Sequence, residues 1–569
     1  MRYVLGIDTG GTYTDAVIID PSDNSIICKS KAPTTHRDLS LGIGAAITSL
    51  GFEKNSGIDR VHLSTTVAAN SILEKNFERC GLLQIGRDAD CIVPAGYFMT
   101  IKKPNLSHDN INKCKINEMS EIKKMFSGNV ENIVVTSHDG DMECEIMVTT
   151  MIKRELGIKA LSATRLWDHE DYRDRTVATL LSTHLMPVVD DLINGVRTVM
   201  AENDINAEVF IVNALGGLMS CDEARAKPLS TVFSGLATSV KGGIALTDES
   251  DFLLIDMGGT SSDVTRVVNR EFREIKKNAK IDVFNINEDT MDIKCYGIGG
   301  DSHIRITHGG RIDVGPGRAE PLCRASEEFP HLIHELKKFK RPLNYEMVTA
   351  QDVDCYMGSG IATVSGLTVF EQKIVEYIAK MPHNIFQIAE HFNVDPDALH
   401  MDRLVRKDAA RLISFTPTDI LHAEGRFSRW DKSASDAAVR IMSDILGISR
   451  GQFLEKINDE VTKRLAEVCM QGIAAFEEVE FDFDNHAGAT FLLEHFFDEE
   501  AALLEMGFTI NKPIVALGAP ARAWLDQVAK KLSTIAVYPE HGEVANAYGA
   551  SIATRNNDSS IAEKKGHER

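Results

Sequence analysis

No C-x-x-C pair occurs among the ten cysteines of this chain. That excludes a structural zinc site or an iron–sulfur cluster built on such spacing. Ten scattered thiols fit the reducing cytoplasm better than a disulfide framework. Basic charge is scarce: 62 Lys and Arg stand against 83 Asp and Glu, a formal net charge of −21. Duplex nucleic acid, with about one negative charge per ~1.7 Å, would be repelled by most of such a surface, so it is not expected as the main partner. No apolar run approaches the roughly 18–20 residues that span a bilayer, so no membrane association is expected. The first recognisable phrase starts at Ile7, which leaves no room for a signal peptide ahead of it.

What is present is a repeat. Residues 7–15 read I-D-T-G-G-T-Y-T-D and residues 255–263 read I-D-M-G-G-T-S-S-D, with six of nine positions identical. Each copy lies between apolar runs, the pattern of a strand–turn–strand opening a lobe. The separation is too long for a solenoid unit. A chain of 569 residues also exceeds one core. Two related α/β lobes are therefore expected. Two such hairpins facing each other across a cleft can hold a nucleotide's phosphates and a metal ion.

The chemistry follows from residue type. Adjacent glycines (Gly10, Gly11; Gly258, Gly259) admit positive φ and let backbone N–H groups approach phosphate oxygens. Thr9, Thr12, Thr14, Thr260, Ser261 and Ser262 add short hydroxyl donors. Asp8 and Asp256 end buried strands, where a carboxylate suits Mg²⁺ held through water, or the orientation of a nucleophile. Asp15 and Asp263 fall on the return strands. A single D-x-G-G-T is a common tight turn, and only its duplication favours phosphate. Val209–Asn213 reads as a strand ending in a Gly216-Gly217 turn. Gly518-Ala519-Pro520, between a strand and a helix, offers little bulk against an adenosine, or is a plain connector. Asp301 and His303 follow a Gly-Gly turn and are substrate-side candidates, although a histidine beside a turn is more often structural. His422 with Asp419 makes only half a metal site.

Helical spacing runs from about Arg175 to Asn203, with Pro187 expected to kink or divide it. Three short helices (370–378, 385–392, 399–412) followed by Ile413-Ser414-Phe415 resemble a small winged-helix module. Arg403, Arg406, Lys407 and Arg411 would give its third helix basic character, and Asp397, Asp402 and Asp408 offset much of it. A rigid spacer is the plainer reading. The expected division is an N-terminal lobe over 1–170, a second lobe starting at 171–325, the insertion at 326–415, the second lobe's completion at 416–555, and a disordered polar tail over 556–569.

These pieces, in this order, resemble the actin-like ATPase superfold and, more closely, the hydantoinase A/5-oxoprolinase family that includes acetone carboxylase subunits. Asp8–Asp15 resembles that family's G-G-T-F-T-D, and Ile255–Val264 its I-D-x-G-G-T-S-T-D-V. Residues 64–74 resemble G-T-T-V-A-T-N-A-L-L-E, with Ser64 in place of the glycine. Leu215–Ser220 resembles its G-G-L-M loop, and Gly299-Gly300-Asp301-Ser302 its G-G-G-S. Val314-Gly315-Pro316 and Thr418-Asp419…Gly425-Arg426 match its V-G-P and T-D…G-R stretches. Ser234-Gly235-Leu236 departs from its S-G-P.

The resemblance implies two ribonuclease H-like lobes, ATP with Mg²⁺, and phosphorylation of a carbonyl oxygen on a cyclic amide or imide ahead of ring opening. It also implies a second, hydantoinase B-like subunit, and it leaves homo-oligomers open. Asp8 and Asp256 would serve Mg²⁺ and water, the hairpins the phosphates, and Thr65, Thr66, Asp301 and His303 the substrate. The competing functions are an ATPase that remodels a partner enzyme, a small-molecule kinase, and a regulator that binds DNA through the insertion.

Overall fold

The computed structural model describes residues 2–35, 38–52, 57–73, 80–85, 100–102, 130, 132–167, 171–275, 279–281, 284–286, 288–307, 309–341, 350–360, 366–479, 487–497 and 506–555. The chain divides into two compact units. One comprises Met1–Asp248, Glu271–Asp292 and Val544–Arg569; the other comprises Glu249–Arg270 and Ile293–Glu543. The expected boundary at residue 170 falls within the first unit, and the tail over 556–569 lies outside the described residues.

In the first unit a six-stranded mixed sheet runs in the order Leu218–Ser220, Glu208–Val212, Ile58–Thr65, Tyr3–Thr9, Tyr13–Asp20, Ser25–Pro33. Tyr3–Thr9 pairs antiparallel with Tyr13–Asp20 and parallel with Ile58–Thr65. The opening strands are apolar on both faces because both faces are covered. Leu5, Ile7, Ala16 and Ile18 join a core with helices Leu39–Ser49 and Tyr172–Glu202. Val4, Val17 and Ile19 pack instead on Ala547 and Tyr548 of the last helix, Ala545–Ser551. Asp38 caps the first helix by accepting the Ser40 N–H. A second, parallel sheet holds Thr100–Lys102, Cys80–Ile85, Asn132–Ser137 and Lys159–Ser162.

The 172–202 helix continues as one element through Pro187. An internal proline costs about 3 kcal/mol. Here Leu180, Leu181 and Leu185 before it and Val189, Leu192, Ile193 and Val196 after it are all buried, and that burial outweighs the loss.

The second unit repeats the plan. Ser262–Val268, Phe252–Met257, Ile514–Leu517 and Ala536–Val537 are successive neighbours, and Ile293–Tyr296 pairs with Ser262–Val268. Helices Ser433–Leu446, Arg450–Phe476 and Ala521–Lys531 complete its core around the fully buried Trp524, Phe415 and Phe453. The run expected to be helical over 433–474 breaks at Gly447, which ends the first of its two helices at φ +64°.

The insertion has its own small core and a four-stranded sheet of Glu320–Pro321, Ala410–Ser414, Cys355–Gly358 and His383–Asn384. Helices Val369–Tyr377 and Ile385–Phe392 lie where expected. The third helix is shorter than its spacing implied, Met401–Arg406. His400 and Asp408 take positive φ at its two ends, and Ala410–Ser414 pairs with Cys355–Gly358. Strand pairing therefore takes Arg411 off that helix, where its guanidinium meets Glu320 at 3.1 Å. Arg403 is tied to Glu371, and Lys407 donates to the Gly366 carbonyl.

Among the described residues one segment, Pro228–Leu246, is long and apolar enough by composition to cross a membrane. Two-thirds of it is buried within the protein.

The last helix crosses Ser234–Leu246 at two glycines. A Cβ on Gly242 would stand 2.0 Å from the Ala545 carbonyl oxygen, and one on Gly549 would stand 1.9 Å from that of Thr238. Gly242→Ala is expected to lower stability by about 3 kcal/mol in urea unfolding, because backbone has to move. Gly451→Ala, with open space around its Cβ, serves as the neutral control.

Candidate functional site

In the first unit Asp8 stands opposite Asp15 across the hairpin, and Thr9 opposite Thr14. The turn closes through the Gly10 N–H to the Tyr13 carbonyl, 3.0 Å. Asp8 is buried, and the Ser64 hydroxyl donates to its Oδ1 at 2.7 Å. Ser64 is the residue that departs from the family's glycine, and here it orients the carboxylate. Asp15 is paired with Lys31 at 2.9 Å, so its charge is met within the sheet. Thr14 Oγ1 bonds Thr34 Oγ1, and Thr34 also donates to the Gly10 carbonyl.

Thr65 and Thr66 follow the strand that flanks this hairpin. The Thr65 hydroxyl donates to the Thr9 carbonyl and accepts the Val67 N–H, which makes it the link between the hairpin and helix Val67–Leu73. The Thr66 N–H donates to the same carbonyl. Ser234 accepts the Thr65 N–H and donates to the Thr65 carbonyl. A Cβ on Gly235 would meet Thr66 at 2.8 Å. The Ser-Gly pair thus packs directly on the Thr-Thr pair.

Gly216 turns at φ +74°, and Asn213 accepts the backbone N–H groups of Leu215 and Gly217. Lys241 donates its ammonium to the Gly216 carbonyl at 2.8 Å, and burial holds its pKa below the ordinary lysine range. Sequence reasoning missed Lys241. Its one signal is a lone cation in the small and apolar stretch Ser234–Leu246.

In the second unit the arrangement recurs. Asp256 faces Asp263, Met257 faces Ser262, and the Gly258 N–H closes the turn on the Ser261 carbonyl. Burial pushes Asp263 up to about 7, with the Asp256 charge adding to the effect. Two other segments press on this turn. The Gly300 N–H donates to the Gly258 carbonyl and the Asp301 N–H to the Gly259 carbonyl. A Cβ on Gly299 would lie 2.6 Å from the Gly259 oxygen. Gly518, at φ +87°, brings its backbone so close to Met257 that a Cβ would fall 2.1 Å from that carbonyl. Pro520 reaches the same neighbourhood, 3.4 Å from the Cβ position of Gly300. The structure therefore brings Asp256, Gly258, Gly259, Gly299–Asp301 and Gly518–Pro520 together. Thr260 is exposed at the turn.

Asp301 and His303 have different surroundings. Asp301 is buried beside Arg318, which stands 3.7 Å away, and burial pushes its pKa up to about 6 despite the arginines at 318 and 324. His303 directs Nε2 to Asp354 at 3.0 Å, and Ser414 also donates to that carboxylate. Asp419 accepts the N–H groups of Leu322 and Cys323 and the hydroxyls of Thr416 and Ser435, so it is a structural pin. His422 donates from Nδ1 to the Thr418 carbonyl and accepts the Trp430 N–H at Nε2, which leaves neither nitrogen for a metal.

Comparison with known proteins agrees with the architecture. A family profile described as Hydantoinase/oxoprolinase N-terminal region matches residues 4–137, and one described as Hydantoinase/oxoprolinase matches residues 175–327. Caprolactamase subunit alpha of Pseudomonas jessenii is 23% identical over 374 residues, covering 57% of this chain and 52% of that protein. 5-Oxoprolinase 1 of Arabidopsis thaliana is 24% identical over 371 residues, covering 54% of this chain and 29% of that protein. The chain thus spans about half the length, or less, of these relatives. The nucleotide-free structure of acetone carboxylase superposes with a TM-score of 0.60 at 14% identity, over 97% of this chain and 70% of that one. The fold is accordingly the actin-like ATPase fold, an α/β architecture whose two units each open on the same hairpin.

The raised pKa of Asp301 has a definite consequence for stability. Between its ordinary value of 3.8 and about 6, the folded protein holds a proton that the unfolded chain has released. Stability therefore falls as pH rises through that window, and the cost is complete above it. Asp301→Asn is expected to raise the unfolding free energy by up to about 3 kcal/mol at pH 8 and by much less at pH 4. Urea titrations at the two pH values measure the difference.

Proposed function

Because the chain belongs to the hydantoinase/oxoprolinase family, we propose that it is the ATP-binding part of an amidohydrolase that activates a cyclic amide for ring opening. The observation that carries the reading is the repeated placement of Asp8 and Asp256. Each ends a buried leading strand, each faces an aspartate on the return strand, and each precedes a Gly-Gly-Thr turn.

In the proposed reaction the amide oxygen attacks the γ-phosphorus of ATP and ADP leaves. Water then adds to the ring carbon, the C–N bond opens to leave an amine and an acyl phosphate, and a second water releases the phosphate to complete the carboxylate. The sum is one ring amide, one ATP and two waters consumed for one amino acid, one ADP and one phosphate. The chain's own groups position and stabilise charge. Backbone N–H groups of both glycine turns would hold phosphate oxygens, Thr12 and Thr260 would add hydroxyls, and Gly518–Pro520 would lie along the adenosine. Lys241 joins the proposed machinery as a buried cation at the Gly216 turn.

Mg²⁺ fits this donor set. It prefers oxygen ligands and keeps several waters, binding through one or two carboxylates plus substrate phosphates. Among the described residues no three His, Cys, Asp or Glu side chains gather closely enough to cage a metal. Asp8, oriented by Ser64, and Asp256 would hold the ion, which would neutralise phosphate charge.

The matched relative is named as a subunit, which supports a separately encoded partner for the ring-opening half-reaction. Magnesium-dependent ATP binding, measured by calorimetry, is expected to weaken at least tenfold in Asp8→Ala and in Asp256→Ala. ATP turnover is expected to rise with one member of a panel of lactams, hydantoins and 5-oxoproline once the partner is added. Stimulation by a protein alone would favour a remodelling ATPase, and a stable phosphorylated product a kinase. Absence of ATP binding by the unaltered protein would end the reading.

A further inference from the structure

Strand Ser302–Ile306 alternates its faces, and this separates two roles. Ser302 and Ile304 point into the core, while His303, Arg305 and the edge of Ile306 line a cavity of about 800 Å³. Its far wall is the winged-helix-like insertion, including Arg406 and His400. A volume of this size suits a small-molecule ligand. None of the proposed phosphate-binding residues borders it.

The lining is charged in a divided way. Arg305 and Arg406 form no hydrogen bond or ion pair among the described residues. Asp354, Asp397 and Asp402 also line the cavity, but two guanidinium groups that make no hydrogen bond or ion pair of their own on a concave surface suit an anion, most effectively a carboxylate met by the planar donor fork. Asp352 also lines the cavity, is only 4% exposed, and has a buried Oδ1 that accepts no hydrogen bond. Arg341 Nε forms an ion pair with that oxygen at 3.5 Å, beyond good hydrogen-bond length, so its charge has a partner while its hydrogen-bonding capacity does not. A buried carboxylate oxygen lacking a donor is costly and would be satisfied by an ammonium or amide N–H. Beside it, Asp354 is already engaged by His303 and Ser414, which fixes the wall in place.

We infer that this cavity binds a zwitterionic amino acid, its carboxylate on Arg305 and Arg406 and its ammonium on Asp352. The class has a chemical rationale that rests on the ring-opening reaction above: hydrolysis of a lactam releases one molecule carrying both a carboxylate and an amine. The insertion would then sense the reaction product. Arg403, Lys407 and Arg411 are tied internally, and Arg406 turns to the cavity.

The test is direct binding to the full-length protein without ATP or a partner subunit, so it is independent of whether the ATP reading holds. Glycine, glutamate, 4-aminobutyrate and 6-aminohexanoate are titrated by calorimetry, with hexanoate and hexylamine as probes bearing a single charge. At least one amino acid is expected to bind, with each singly charged probe at least tenfold weaker. Arg406→Ala, an exposed position, and Asp352→Asn, a change that keeps shape, are each expected to weaken binding about tenfold or more. Both variants should bind magnesium–ATP as the unaltered protein does. Binding by none of the amino acids, or undiminished binding by Arg406→Ala, would overturn the assignment. Equal binding of hexanoate would replace the zwitterion by a simple anion and would likewise overturn it.

Discussion

Where this fold brings two backbones into contact, a single methyl group would keep them apart. Gly6, in the first leading strand, lies so close to the last helix that a Cβ would fall 2.1 Å from the Ala547 carbonyl oxygen. Gly299 and Gly518 do the same against the second hairpin. These approaches hold each acidic turn in one position, since interiors packed at native density yield little. A hairpin held only by its own ladder would be marginal in water. Here each is clamped by segments distant in sequence, and the aspartates inherit that rigidity. Preorganised charge and dipoles are what phosphoryl transfer asks of a protein.

The two units solve the same problem with different residues. In the first, a hydroxyl at Ser64 steadies Asp8, and Lys31 neutralises Asp15. In the second, among the described residues no lysine pairs with Asp263, and its carboxyl is pushed up to about 7 by burial. One member of each aspartate pair is thereby subdued, by an ion pair in one case and by proton uptake in the other. Two neighbouring full charges would otherwise repel each other and any incoming phosphate. The repeat is thus a repeat of backbone, and the electrostatics around it have diverged.

Much of this was legible in the chain. Short apolar runs such as Cys80–Ile85, Asn132–Ser137 and Phe252–Met257 read as buried strands, and each forms a strand with those bounds. Local pattern suffices where a segment is buried on both sides and bounded by turn formers. It failed at Met401–Arg406, where apolar spacing continued but strand pairing with Cys355–Gly358 claimed the following residues, a tertiary preference that periodicity does not encode. Of the two outcomes expected at Pro187, a kink or a division, the helix is not divided there, because burial on both sides outweighs a local breaker. At the candidate site, residue type and repetition single out Asp8, Asp256 and the glycines, which the structure sets at the two hairpin turns. They did not find Lys241 or separate Asp301 from His303, because a side chain's partner lies far along the sequence. The Ser64 departure was visible, and only the geometry shows its hydroxyl reaching Asp8.

Helix Ala545–Ser551 belongs to the unit built by the first 248 residues, with the whole second unit threaded between. On a ribosome, that ordering imposes a delay. The opening sheet must wait, with Val4, Val17 and Ile19 uncovered on one face, until more than 500 residues have been synthesised and the helix that covers them emerges. At about 5–20 residues per second this amounts to tens of seconds of exposed apolar surface. The second unit, contiguous apart from one short excursion, is finished first. The nascent chain is therefore a substrate for holding chaperones throughout that interval, and its vulnerable half is the one made earliest.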